Sequence, residues 1–336
     1  MTHMRKKTGE IFGKQAEGVN QILPHVNKWA WELYRKGKNN HWNPEDIPMT
    51  RDIQNWSNGT ISEAEKLVIK RCLGFFAGSE SLVGNNLVTM FKHITDPECR
   101  QYMARQIWEE CLHNDTIVYI CDSLKLDVDE VYEAYANIPS IKAKDEFLMK
   151  VTKTINKGVD ASTTEGRKAI TKAAFLYWVV CEGTFFFSGF AMLLAMKHKI
   201  PGIGEQIEYT LRDESLHIAF GASLITKIKE QYPDVWDAEF EADLTQCIIE
   251  AVQLEINYAQ DVLSSGILGL NASMFIDYMQ YIGNRRLESV GIKYRFKNDK
   301  NPFDFLSEVQ DLLKAKNFFE TRVTEYQSAG ALEDDF

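Results

Sequence analysis

Two Glu-x-x-His pairs stand about a hundred residues apart in this chain: Glu110 with His113 in QIWEECLHND, and Glu214 with His217 in LRDESLHIAF. On a helix, an i, i+3 spacing puts both side chains of a pair on one face. Two more carboxylates, Glu80 in FFAGSESLVGNN and Glu182 in WVVCEGTFFFSGF, lie inside otherwise apolar stretches. Four carboxylates and two imidazoles converging from four helices are the ligand set of a dinuclear metal site in a helical bundle. A single Glu-x-x-His pair is more often an ordinary solvated helix face. Here, of seven histidines, only His113 and His217 have Glu three residues before them. The order Glu, Glu-x-x-His, Glu, Glu-x-x-His is a duplicated pattern, and that repetition argues for metal.

Such a site needs long helices, and the sequence supplies signals for them. A helix is expected over about 20–37, followed by a loop, HWNPEDIPMTRDIQNWSNGT, with three turn signals. Thr60 or Ser62 can cap the next helix, and Ser62 with Glu65 fits a capping box. That helix reaches about residue 93 and carries Glu80. Asp96-Pro97 starts another, with proline at its first position, running to about 125 with Glu110 and His113. Shorter helices follow near 128–136 and 140–157. Thr163 or Thr164 can cap a long apolar helix that carries Glu182 and ends before Pro201. Gly202 or Gly204 precedes a helix to about 230 that carries Glu214 and His217, and two more fill about 235–264 and 271–289. No strand alternation is evident, so the expected fold is all-α. Residues 1–300 form the helical domain and 301–336 a tail, with a short amphipathic piece near 304–315 and the acidic, aromatic ending EDDF.

Composition narrows the function classes. Net charge is −10 and the pI about 5.3, which argues against nucleic acid, since phosphate binding needs a basic surface. The six cysteines form no C-x-x-C, so free thiols in a reducing cytoplasm are expected. The N-terminus has basic residues without an apolar core behind them, unlike a secretory signal. Residues 175–196 are long and apolar enough to cross a membrane, with Glu182 as the single charge. No second span exists, and an ionised Glu in lipid is costly. A buried core helix is therefore expected, with Glu182 compensated by a metal ion.

The motifs ESLVGNN, EECLHNDTIVYICDSL, CEGTFFFSGFAML and EYTLRDESLHIAFG, in this order and spacing, resemble the small, radical-generating subunit of class I ribonucleotide reductases. The resemblance runs from about residue 20 to the C-terminus. It implies a ferritin-like bundle, usually a homodimer, with a dimetal centre on Glu80, Glu110, His113, Glu182, Glu214 and His217. It also implies a role: oxidising a cysteine of a separate catalytic subunit, which then reduces ribonucleotides. Trp42 in HWNPED matches the tryptophan of the family's electron route, and Asp213 the aspartate linking it to a metal-bound imidazole, here His113. Tyr326 in the tail matches the tyrosine that passes the radical to the catalytic subunit, and the last residues resemble a docking peptide. The family's regulatory N-terminal ATP-binding module is not expected, because the first helix begins by about residue 20; allosteric control is expected on the catalytic subunit.

One position departs from most of that family. Four residues after the first ligand histidine, where a radical-storing tyrosine is usual, stands Ile117. Tyr119 lies six residues past His113 and is rotated far around the helix. Isoleucine has no accessible one-electron chemistry. The resemblance then points to subgroups that keep the oxidising equivalent on a manganese-containing centre, Mn/Fe or Mn/Mn, with di-iron less favoured. Glu80 in place of the commoner Asp points the same way. Ligand types alone do not select manganese over iron. Tyr209, five residues before Glu214, is a candidate secondary redox residue. Two rivals share the fold: a ligand-binding oxidase or monooxygenase, which would need no docking tail, and a metal-storage protein, which would need no Trp42–Asp213 route.

Overall fold

The computed structural model describes residues 8–13, 19–156, 158–267, 269–303 and 305–306. Its helices in chain order are α1 (Lys28–Asn39), α2 (Thr50–Ser57), α3 (Glu63–Phe91), α4 (Pro97–Leu124), α5 (Val128–Tyr132), α6 (Ala134–Asn137) and α7 (Pro139–Asn156). Then come α8 (Thr164–Ala174), a π-helical segment (Phe175–Phe185), α9 (Phe186–Ala195), α10 (Pro201–Gln231), α11 (Ala238–Val262) and α12 (Ala272–Ser289). Apart from one isolated bridge between Ile267 and Leu270, the described residues contain no β-structure, as an all-α reading requires.

The helices that carry the site begin where local chemistry tells them to. Ser62 Oγ accepts from the Glu65 amide, and the Glu65 carboxylate accepts from the Ser62 amide at 2.9 Å, a complete capping box for α3. Asp96 accepts from the Cys99 amide at 2.9 Å, with Pro97 in the first turn of α4. Such caps each stabilise a helix end by about 1 kcal/mol. Thr163 rather than Thr164 caps α8, by accepting from the Gly166 amide. α3 packs along α4, the π segment along α10, and α11 along α12. Trp178 from the π segment sits against Gly221 of α10, where a Cβ would come within 2.2 Å of the Trp178 Cβ. Glycine there lets the two elements approach closely.

Several expected boundaries move. α1 starts at Lys28, not near 20, because Pro24 has no amide to donate and restricts the residue before it. The expected loop after it contains α2, whose Asp52 accepts from the Gly202 and Ile203 amides at 2.8 and 3.0 Å. α10 is therefore capped from a distant helix, and both Gly202 and Gly204 lie inside its first turn rather than ahead of it. The expected helix over 128–136 is broken at Glu133 into α5 and α6. The single apolar helix expected before Pro201 contains 11 residues of π-helix. Among the described residues, Thr164–Ala195 is the one stretch apolar enough to cross a membrane, and 94 % of its most apolar window is buried within the fold. It is the core helix. Of the piece expected at 304–315, only Phe305 and Leu306 are described, and they are helical. Residues 304 and 307–336 lie outside the described residues.

Candidate metal centre

Four elements deliver the six candidate ligands to one place. α3 brings Glu80, α4 brings Glu110 and His113, the π segment brings Glu182, and α10 brings Glu214 and His217. All six are buried. Both imidazoles aim Nδ1 inward. His113 Nδ1 lies 3.5 Å from Glu80, 4.0 Å from Glu110 and 3.2 Å from Glu214. His217 Nδ1 lies 3.4 Å from Glu110, 3.7 Å from Glu182 and 3.2 Å from Glu214. Glu110 and Glu214 each turn one oxygen toward each histidine, while Glu80 serves the His113 side and Glu182 the His217 side. Two carboxylates shared between the imidazoles, with one more on each side, make a donor set that could hold a pair of ions.

The electrostatics of the pocket call for cations. Glu80 Oε2, Glu110 Oε2, Glu182 Oε2, Glu214 Oε1 and both ring nitrogens of His113 are buried with no hydrogen-bond partner. Buried polar atoms are normally satisfied, and unsatisfied ones cost about 1–3 kcal/mol each. Burial, then repulsion from Glu182, pushes Glu110 well above the usual carboxylate range. Burial, then repulsion from Glu214, does the same to Glu182. Burial also opposes ionisation of Glu214, but attraction to His217 and the closeness of both imidazoles outweigh it and hold it down at about 2. Burial likewise disfavours charge on the histidines; Glu80 chiefly for His113 and Glu214 chiefly for His217 overcome it and push both well up. Glu80, Glu110, His113 and Glu214 each offer an atom within 4.8 Å of the others, as do Glu110, Glu182 and His217. The residues fit two divalent ions, and carboxylate with imidazole suits iron or manganese.

Behind each histidine stands an acid from the other pair-bearing helix. His113 Nε2 lies 3.6 Å from Asp213 Oδ2, and the same oxygen accepts from Trp42 Nε1 at 2.8 Å. His217 Nε2 lies 3.0 Å from Glu109 Oε2, and Glu109 in turn pairs with Arg105 Nε at 2.9 Å. A carboxylate in that place fixes the tautomer and orientation of a ligand imidazole. Sequence reasoning found Asp213 and missed Glu109. The signal was present: in EECLH and DESLH alike, an acid immediately precedes the ligand Glu. Also missed was Gln106, whose amide donates to Glu182 at 2.8 Å and Glu110 at 3.2 Å while its carbonyl accepts from Trp178 Nε1 at 2.9 Å.

The remaining residues fall as follows. Ile117 is buried one turn beyond His113 on α4. Tyr119 turns away, donating its hydroxyl to the Ile47 carbonyl at 3.1 Å. Tyr209 packs on Trp42, ring centroids 5.3 Å apart, and its hydroxyl donates to Glu205 at 3.2 Å. It adjoins the tryptophan rather than the ligands. Tyr326 lies outside the described residues.

Comparison with known proteins gives the family. The family described as "Ribonucleotide reductase, small chain" matches residues 19–302. The ribonucleoside-diphosphate reductase subunit beta of Chlamydia pneumoniae is 50 % identical over 330 residues, covering 97 % of this chain and 95 % of that one. The ribonucleoside-diphosphate reductase small chain 1 of Saccharomyces cerevisiae is 32 % identical over 93 % of this chain and 74 % of its own length. Among solved structures, the ribonucleotide reductase R2 subunit from Clostridium botulinum superposes with a TM-score of 0.83 at 23 % identity, covering 92 % of this chain and 96 % of that one, and shares the ferritin-like helical fold. With its duplicated carboxylate–histidine site and a match spanning most of its length, the chain belongs to the ribonucleotide reductase small-chain family.

Proposed function

We propose that this chain is the radical-generating subunit of a ribonucleoside-diphosphate reductase, working as a cytoplasmic homodimer with a separate catalytic subunit. The observation that carries the reading is the Trp42–Asp213–His113 series, which a storage protein or a stand-alone oxidase has no use for. Glu80, Glu110, His113, Glu182, Glu214 and His217 would hold the two ions. Bound there, a redox-active metal pair supplies the one-electron oxidant. The chain's own residues set the direction of transfer. Trp42 is nearly buried, and its indole N–H points at Asp213 Oδ2. When Trp42 gives up an electron, that proton has an acceptor 2.8 Å away. Arg212 stands 3.4 Å from the other oxygen of Asp213 and donates to the Asn40 carbonyl, tying the carboxylate to the segment that carries Trp42. From Trp42 the route runs to the tail, where Tyr326 passes the radical to the catalytic subunit and the acidic ending docks. Tyr209, in tilted ring contact with Trp42, is a secondary stop on it.

Ile117 supports storage of the oxidising equivalent on a manganese-containing pair, since no oxidisable side chain occupies that position. Anomalous scattering at the manganese and iron edges, with EPR of the activated protein, tests this; a pure di-iron centre with a tyrosyl signal would overturn it. For the function itself, Tyr326→Phe is expected to leave metal loading intact and abolish ribonucleotide reduction with the catalytic subunit. Full turnover by that variant would refute the tail assignment.

A further inference from the structure

The π segment is long for its kind. π-helix occurs mostly as single-turn bulges, often at functional sites, yet here it runs for 11 residues, Phe175–Phe185, with Glu182 in its last turn. Its wider winding sends the Phe186 amide to the Cys181 carbonyl, five residues back. Backbone carbonyls in a dry core need partners, and several here are met by side chains. Thr184 Oγ1 donates to the Val179 carbonyl at 2.8 Å. Arg286 Nε, from α12, donates to the Gly183 carbonyl. Lys144 Nζ, from α7, donates to the Phe185 carbonyl at 3.3 Å.

The last two donors are unusual residues for a core. Lys144 is wholly buried, ion-paired with Glu255 of α11, and lies over the rings of Phe75 and Tyr258 at 3.3 and 4.0 Å. Ser188 donates to the same Glu255 carboxylate. Arg286 is buried with no acidic side chain paired to it among the described residues, and it covers the Phe187 ring at 4.5 Å. Burial holds its pKa down at about 9. A buried cation without a counter-ion is expensive, so what it touches matters. It touches the carbonyl of the residue that directly follows a candidate ligand. Gly183 makes this possible: a Cβ there would come within 3.0 Å of Arg286 Cδ and Nε.

We propose that Arg286 and Lys144 are positioning residues for Glu182, holding the last π turn wound so that its carboxylate faces His217. The proposal rests on the reading of Glu182 as a metal ligand. If the turn relaxed to α-helix, the register would slip by one residue, about 100° of rotation, and Glu182 would leave the site. Glu80, His113 and their ion would be untouched.

The test is titration of the purified full chain with Mn(II), counting bound ions by EPR and metal analysis, with thermal melting in parallel. The wild type is expected to bind two ions and Glu182→Gln to lose affinity for one; a wild type that binds fewer, or a Glu182→Gln unchanged, defeats the ligand reading itself. With that reading upheld, Arg286→Leu is expected to weaken the same one ion by about 10–100-fold, the range for residues that orient a ligand, and to spare the other. Arg286→Lys is expected to recover part of the loss. Gly183→Ala, which crowds the guanidinium out, and Lys144→Met are expected to repeat the selective loss, and they decide the matter if Arg286→Leu does not fold. Two ions bound with wild-type affinity, or both weakened equally alongside a lowered melting temperature, would overturn the proposal.

Discussion

The two halves of the candidate metal centre have the same kinds of side chain and opposite surroundings. On the His113 side, the acid behind the imidazole accepts an indole N–H, and Trp42 and Tyr209 continue outward in ring contact. On the His217 side, the acid behind the imidazole is engaged by Arg105, and the neighbouring carboxylate is held by Gln106, itself held by Trp178. Arg105 also lies over the exposed Trp108 at 4.3 Å. A cation over an indole disfavours removing an electron from it. One side therefore offers an oxidisable group with a proton acceptor, and the other a rigid, charge-fixed wall. Near-identical sequence motifs, EECLH and DESLH, thus end in what the proposed function uses as a conduit and an anchor, because of what other segments place behind them.

The comparison can be broken at its shared element first. Glu110→Ala removes a carboxylate that faces both histidines, so loss of both ions is expected by metal analysis, the largest effect of all. Asp213→Asn comes next. It keeps the shape but removes the proton acceptor from Trp42, and turnover with the catalytic subunit is expected to fall by about 10²–10⁴-fold while both ions still load. Glu109→Gln is the matched change on the other side. Metal affinity is expected to drop by about 10–100-fold, measured by Mn(II) titration, with turnover largely recovered at saturating metal. Equal behaviour of the two acid-to-amide variants would erase the distinction drawn here. The smallest effect is expected at the far end of α3, which delivers Glu80. Ser62→Ala should cost about 1 kcal/mol in denaturant unfolding. Burial opposes ionisation of Glu65 there, but Lys199 and Ser62 outweigh it and lower its pKa from 4.5. Its folded-state pKa lies below the unfolded one, so the contribution is full above about 4.5 and disappears as the pH falls through the lowered value. Part of the acid sensitivity of unfolding should vanish in Ser62→Ala.

What could be read along the chain was what is local. The i, i+3 pairs, the Ser62–Glu65 box and the Asp96-Pro97 start depend on neighbours within one helical turn, and each appears in the fold. The π segment was not legible, because FLYWVVCEGTF is apolar on every side and carries no period to distinguish one winding from another. α2 read as loop because six of its eight residues are polar and it is flanked by turn signals; its worth lies in Asp52, which caps a helix about 150 residues later. Glu109 and Gln106 were legible as residue types but not as partners, since they act on His217 and Glu182, which belong to other elements.

By itself, then, the sequence determined which side chains can bind metal, that they come in a duplicated order, and that position 117 holds an isoleucine with no electron to give. Only the tertiary structure decided that Glu109 and Arg105 stand behind His217, and where buried cations hold the backbone beside Glu182. The reason is physical: ligand identity and helical spacing are short-range properties, whereas the burial, charge and hydrogen bonding that tune a ligand come from whichever helix packs against it.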